Sequence, residues 1–270
     1  MIEGWLIPVF AGLFGLILGS FLNVCSLRWP AEESVISPRS RCPHCGEPVR
    51  WYDNVPVLSW MLLRGRCRWC RKGISVQYPL VELATALILA GIFWVHGLSW
   101  ESVRGSLFLT MLFGISLSDA RFYIIPDEFS VGGTMLGVGL SFLPGGIDAA
   151  GSMIGAAVGY GSLWLVAVGG TWILRRVAPG RLEKAGVDQA LGGGDVKMMM
   201  MVGAFIGVWG VAETVFLGCI LALLVFGPLA AFSRRLIPLG VFLAAAGAVA
   251  YVWGEAMLSW YLTQIVGIPG

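Results

Sequence analysis

Asp119, Asp127 and Asp195 each stand where a long apolar run begins or ends. Asp119 closes one run in ISLSDARFYIIPDEFS. Asp127 follows Pro126 at the start of the next, and Asp195 opens a third behind three glycines in LGGGDVKMMMM. Ionisable groups at membrane depth are expensive and are functional-site candidates by default. Two carboxyls held close together share one proton. One can then accept a proton from water while the other donates to a carbonyl oxygen, the arrangement of aspartic proteases. Asp119 and Asp195 lie in separate runs, so the fold must bring them together. The rival reading is interfacial, with the aspartates solvated or paired with Arg121 and Lys197. Asp127 also suits the first turn of a helix, where an acidic group meets the positive end of the dipole. The spacing of GGGDVK is not that of a phosphate-binding loop, and glycines in membrane helices also serve close packing.

A second cluster is made of sulfur. CPHC supplies Cys42 and Cys45, and CRWC supplies Cys67 and Cys70. Two C-x-x-C pairs about 20 residues apart are the pattern of a tetrahedral zinc site. Each pair forms a tight knuckle, and the chain between them folds back to bring the four sulfurs together. Arg41, Arg66, Arg68 and Arg71 flank the pairs and favour thiolates. Four sulfurs close the coordination shell, so the zinc is expected to be structural. An insert of about 50 residues has little core of its own, and a metal staples it. Redox chemistry or disulfides are the alternative, disfavoured on a reducing side of the membrane. His44 reads as a solvent-facing turn residue, and Cys25 and Cys219 as small packing residues.

These residues sit in a chain of 270 that is 57% hydrophobic and only 13% charged, with a mean hydropathy of +0.80. Soluble domains carry about 25% charged residues. The expected fold is therefore an all-α polytopic membrane protein. Apolar runs predict about eight spans, at 5–24, 79–96, 105–120, 128–146, 150–173, 195–209, 211–232 and 239–260. The first lacks a basic stretch before it and is long enough to span, so it is expected to stay as a transmembrane helix. The connections after spans 1, 3, 5 and 7 hold seventeen of the eighteen basic residues, leaving Arg104 in the connection after span 2. Lys and Arg concentrate in cytoplasmic loops. These loops are thus expected on the cytoplasmic side, with both termini opposite and the three aspartates at the cytoplasmic face. The expected organisation is a first helix at 1–28, a basic zinc-binding cytoplasmic insert at 29–78, and a membrane domain at 79–270.

The ordered motifs resemble the bacterial type IV prepilin peptidases, which are bifunctional leader peptidase/N-methyltransferases. GSFLNVCSLRWP at 19–30 is similar to the family's first-helix exit. RSRCPHCGEPVRWYDNVPVLSWMLLRGRCRWCRKGIS at 39–75 resembles its insert, and YPLVEL at 78–83 continues it. Asp119, six intervening residues, then Pro126 and Asp127 resemble the first catalytic block. GGGDVK at 192–197 resembles the second, the G-x-G-D signature shared with presenilin-type proteases. The resemblance implies Asp119 and Asp195 as the catalytic pair, with Asp127, Gly192, Gly194 and Lys197 supporting them. It implies cleavage of a short basic prepilin or pseudopilin leader after a glycine, then methylation of the new amine with S-adenosylmethionine. It links the four cysteines to the insert and to methylation. Flexible backbone at Gly192–Gly194 is expected to approach an extended substrate closely.

Three positions depart from the family pattern: Gln77 for arginine, Gln189 for glutamate, and Val241 for proline after Gly240. Expected partners are prepilin substrates and membrane lipid, with anionic head groups facing the basic insert; no nucleic-acid partner is expected. The competing functions are a proton-coupled transporter using the same aspartates as a relay and a non-catalytic scaffold for pilus assembly.

Overall fold

A computed structural model describes residues 3–180, 182–183, 186–230 and 238–267. Arg181, Lys184, Arg234 and Arg235, which the loop argument used, lie outside the described residues. Helices carry the chain, and the described residues hold no strand beyond two isolated bridges in the insert. The all-α expectation holds. Among the described residues, five helices are long and apolar enough to cross a membrane. The chain divides into two compact units, one through Thr110 and one from Met111.

The first unit is built on an antiparallel helix pair, α1 (Glu3–Arg28) and α3 (Gln77–His96). Lipid gives apolar side chains no reason to prefer another helix, so membrane helices associate where small residues let backbones approach. Gly15 and Gly19 supply that approach. A β-carbon at Gly15 would lie 2.7 Å from Ala86 Cα, and one at Gly19 would lie 2.7 Å from Glu82 Cα. Asn23 closes the insert end of the pair by donating to the Tyr78 carbonyl at 3.1 Å. Between the two helices the chain forms the cysteine-bearing insert, whose one short helix is α2 (Leu58–Leu62).

Helix α4 (Trp100–Phe122) starts five residues earlier than the hydropathy run. Arg104, expected in a connection, therefore lies inside a helix and is buried. Its polar load keeps α4 outside the five apolar helices. The next helix, α5 (Asp127–Leu140), has only 14 residues, where the sequence predicts a span over 128–146. At a rise of about 1.5 Å per residue it covers about 21 Å, short of a hydrocarbon core of about 30 Å. Gly145 and Gly146, both with positive φ, lie in the loop that replaces its predicted end.

Helix α6 (Ala149–Val177) runs beside α7 (Gly193–Ala230), and α8 (Leu239–Tyr261) completes the second unit. The sixth and seventh predicted spans meet inside α7 at Gly207, whose φ of 71° and ψ of −171° interrupt the helix. Only glycine adopts that backbone without strain. The first limb of α7 runs antiparallel to α6, with Gly159 against Met199 and Gly155 against Gly203. It runs parallel to α5, with Gly133 against Met201 and Gly137 against Phe205. The second limb runs antiparallel to α8, with Gly218 against Leu243, Thr214 beside Gly247 and Glu213 against Gly254. The chain therefore doubles back at Gly207. Met198, Met199 and Met201 are fully buried at the centre of these contacts, so the methionine run is core.

Candidate active site and metal centre

The second unit gathers one end each of α4, α5, α7 and α8. Asp119 lies in the last turn of α4, Asp127 begins α5, Asp195 lies in the first turn of α7, and Gly240 and Val241 lie in the first turn of α8. The antiparallel and parallel contacts above force these ends together. The two expected catalytic aspartates thus share one end of one unit.

Asp119 is 6% exposed. The Val241 backbone N–H donates to its Oδ2 at 3.1 Å. Gly240 is packed so closely that a β-carbon there would lie 2.9 Å from the same oxygen. The first N–H groups of a helix have no partner within it and sit at the positive end of its dipole. Asp119 therefore caps α8 from another helix, which fixes its carboxylate in place. Val241 is one of the positions that departs from the family pattern, and proline there has no N–H to give. Val241→Pro is sterically tolerable in a first helical turn. A hydrogen bond to a charged group contributes about 1.5–3 kcal/mol. The family carries proline here, so this N–H is a hold on Asp119 particular to this chain: Val241→Pro should lower thermal stability in detergent while cleavage persists, checked by unfolding curves and steady-state cleavage on the same preparation.

Asp195 has the opposite environment. Its Oδ1 is buried and has no hydrogen-bond partner among the described residues. Asp195 is thus poised to use an oxygen that the protein itself leaves unused. The glycines before it leave space beside Asp195 and Ile125. Gly193 and Gly194 are already helical, and none of Gly192, Gly193 or Gly194 has positive φ. A β-carbon at Gly192 would lie 2.9 Å from Asp195 Oδ2. One at Gly194 would lie 2.9 Å from the Ile125 β-carbon. Ile125 also lies under Gly240, so this one side chain wedges between the α7 and α8 ends. Ile125 is not singled out by the sequence patterns, and Val241 stands out only as a departure from the family's proline, because an isoleucine and a backbone N–H carry no chemical signature.

Lys197 pairs with Asp127, not with Asp195. Its Nζ donates to both Asp127 oxygens at 2.7 Å, tying the start of α7 to the start of α5. Both side chains are solvent-accessible, so the pair orients helix ends more than it stabilises them.

The four cysteines of the first unit meet as their spacing predicts. Their sulfurs all lie within 4.8 Å of one another. Cys42 and Cys70 are 3.8 Å apart, and Cys45 and Cys67 are 4.0 Å apart. A tetrahedron with Zn–S bonds of about 2.3 Å has edges of about 3.8 Å, so the set fits zinc. The two knuckles repeat one geometry. Cys42 N–H donates to Glu47 and Cys67 N–H to Lys72, both at 2.9 Å. Gly46 and Arg71, each just after the second cysteine, both take positive φ. Burial opposes ionisation of Cys42, but the N–H groups of His44 and Cys45 and the neighbouring thiols outweigh it and bring the thiol down to about 6. The Glu47 N–H favours the Cys45 thiolate, yet desolvation and the three other sulfurs push that thiol up to about 11. His44 stays outside the sulfur set. Beside the knuckles, the Arg68 fork grips Asp53, a hydrogen-bonded pair that holds the Asp53 carboxyl below the usual carboxylate range. Arg50 stacks over Trp69 at 4.8 Å.

Comparison with known proteins covers the stretches that carry both clusters. Residues 13–96 match the bacterial peptidase A24 N-terminal domain, and residues 106–227 match the type IV leader peptidase family. A prepilin leader peptidase/N-methyltransferase of Aeromonas hydrophila is 31% identical over 97% of this chain and 96% of its own length. One of Pseudomonas aeruginosa is 33% identical over 93% of this chain and 91% of its own. One of Myxococcus xanthus is 39% identical over 75% of this chain, and the match spans 57% of that protein. No solved structure matches the chain.

Proposed function

The chain belongs to the type IV leader peptidase family, and on that premise we propose that Asp119 and Asp195 cleave the leader from prepilins or pseudopilins, after which the new amine is N-methylated. The observation that carries this reading is the unequal pair at one end of the second unit. Asp119 is held as an acceptor by the α8 N-terminus, and Asp195 keeps a buried oxygen without a partner.

The roles follow from those environments. Asp119 takes a proton from the attacking water. Asp195 donates its proton to the scissile carbonyl oxygen as the water oxygen bonds to carbon. Collapse of the tetrahedral intermediate breaks the C–N bond, and a proton passes to the leaving amine. The two carboxyls then share a single proton again. The substrate is itself a membrane helix, and peptide bonds in helices are protected. A glycine at the cut site weakens the helix there, so a site at helix ends can engage an extended strand. Asp127 and Lys197 hold the α5 and α7 ends in register, and Gly192 and Gly194 leave room for Asp195 and Ile125. A relay near the middle of the membrane has no support, because both aspartates lie at helix ends.

S-adenosylmethionine supplies an electrophilic methyl group for the second reaction. The zinc knuckles hold the insert together and take no part in peptide hydrolysis. The positive-inside distribution of the sequence supports a cytoplasmic insert and catalytic end with both termini opposite. The test is direct: the purified chain is mixed with a type IV prepilin and labelled S-adenosylmethionine, and the products are read by mass spectrometry. Leader loss followed by label on the new N-terminus is expected. An intact prepilin after prolonged incubation would refute the proposal.

A further inference from the structure

The insert carries an apolar surface that the catalytic reading leaves unused. Helix α2 is short, and its inward face is fully satisfied. Ser59, buried, donates to the Tyr52 carbonyl at 3.0 Å and accepts from the Val55 N–H at 3.1 Å. Trp60 donates its indole N–H to the Ile74 carbonyl at 3.1 Å, and its ring lies against Gly65. The outward face is Leu58, Met61 and Leu62, which are 53%, 63% and 73% exposed. A short insert with no covering element would gain by burying these side chains, and contiguous exposed apolar surface marks an interaction site.

The start of α2 is fixed in depth. The Val57 N–H donates to Glu82 Oε2 at 2.6 Å, and Glu82 is buried. Val57 has φ of 59°, which a β-branched residue adopts only under constraint. Glu82 lies five residues into α3, counted from Gln77. At about 1.5 Å per residue the Glu82 backbone lies about 7–8 Å along α3, and its side chain leans back toward Gln77, so α2 starts beside the first turns of α3. Amphipathic interfacial segments sink about 5–10 Å into the head-group and acyl boundary. Leu80, Leu83 and Leu87 of α3, the helix to which α2 is tied, are exposed too. Directly after α2 come Arg64 and Arg66, two basic residues that complement anionic head groups, while Arg68 beyond them is held by Asp53.

We propose that α2 is an interfacial wedge. Leu58, Met61 and Leu62 lie among the upper acyl chains of an anionic bilayer, the arginines after them lie at the phosphates, and Glu82 sets the depth. The insert is then attached to the membrane surface along its length and does not stand free in water. This rests on the reading that α1 and α3 span the bilayer, so the experiment carries its own control for that reading. Photoreactive p-benzoylphenylalanine replaces Leu62 in one variant of the full chain and Leu87 in another. Each is reconstituted in nanodiscs of phosphatidylethanolamine and phosphatidylglycerol, irradiated, and analysed by mass spectrometry, with and without a prepilin. The expected result is a phospholipid adduct at both positions. Adducts at 87 with none at 62 would overturn the wedge while leaving the span intact. Adducts at 62 on the prepilin in place of lipid would make α2 a substrate surface and overturn the proposal. No lipid adduct at either position would remove the spanning helix and the wedge with it.

Discussion

Asn in place of Asp195 should lower leader cleavage by about a hundred- to ten-thousand-fold, and Asn in place of Asp119 should do the same, the usual magnitude for a lost general acid or base. Asparagine keeps the shape of each side chain but cannot exchange a proton. The two variants should differ in stability. Asp119→Asn weakens the cap on α8, because a neutral oxygen accepts the Val241 N–H less strongly than a carboxylate. Asp195→Asn removes a buried carboxyl whose Oδ1 has no partner, so thermal stability in detergent should hold steady or rise. An inactive Asp195→Asn protein that unfolds no earlier than the parent would place the loss in chemistry and not in folding. Cleavage rates on a prepilin and thermal unfolding curves, measured on the same preparations, check both halves.

Serine in place of Cys42 or Cys67 should abolish zinc binding and unfold the insert. Structural zinc in small domains contributes about 10–16 kcal/mol, far more than the core of so short a segment can replace. Both sulfurs are buried, so the change also leaves a void and a polar group at the centre of the cluster. A strong chelator should reach the same state without mutation. Zinc can bind only as the thiols lose their protons. With Cys42 at about 6 and Cys45 at about 11, the metal must displace protons at neutral pH. Zinc affinity should therefore rise with pH and fall as pH drops, the sign expected when the bound form carries fewer protons. Methylation should fall more than cleavage, because the aspartates belong to the unit from Met111 and the cysteines to the other. Metal content by mass spectrometry, with the two activities assayed in parallel, checks this. Zinc retained in the Cys67→Ser protein would contradict it.

The chemistry-bearing groups were legible because their identity and spacing are chemical. Four cysteines in two C-x-x-C pairs can meet in few ways, and they meet at tetrahedral distances. Carboxyls at the ends of apolar runs stand out against hydrocarbon, and alternating helix directions bring Asp119 and Asp195 to one end. What the sequence hid is carried by backbone and by absent side chains. Hydropathy separates the two limbs of α7 only approximately. The reversal itself depends on one glycine among 38, Gly207, whose positive φ falls inside a helix. The run at 128–146 is mostly apolar, yet α5 stops at Leu140, ahead of a loop with Pro144, Gly145 and Gly146. Arg104 reads as a loop cation because a charge ends a hydropathy window, although α4 continues through it. The GGG of GGGDVK reads as flexible, but the structure uses the space its missing side chains leave beside Asp195 and Ile125. The N–H of Val241 has no signature at all, although it holds the Asp119 carboxylate.

The central claim is that Asp119 and Asp195 act as one unit, and a double variant tests it most directly. Single-turnover cleavage of a prepilin is measured for the parent, Asp119→Asn, Asp195→Asn and the protein carrying both. Groups that work on the same step are strongly non-additive. The expected result is that the double variant is no slower than the slower single one. Losses that multiply, or either single variant cleaving at the parental rate, would contradict the account.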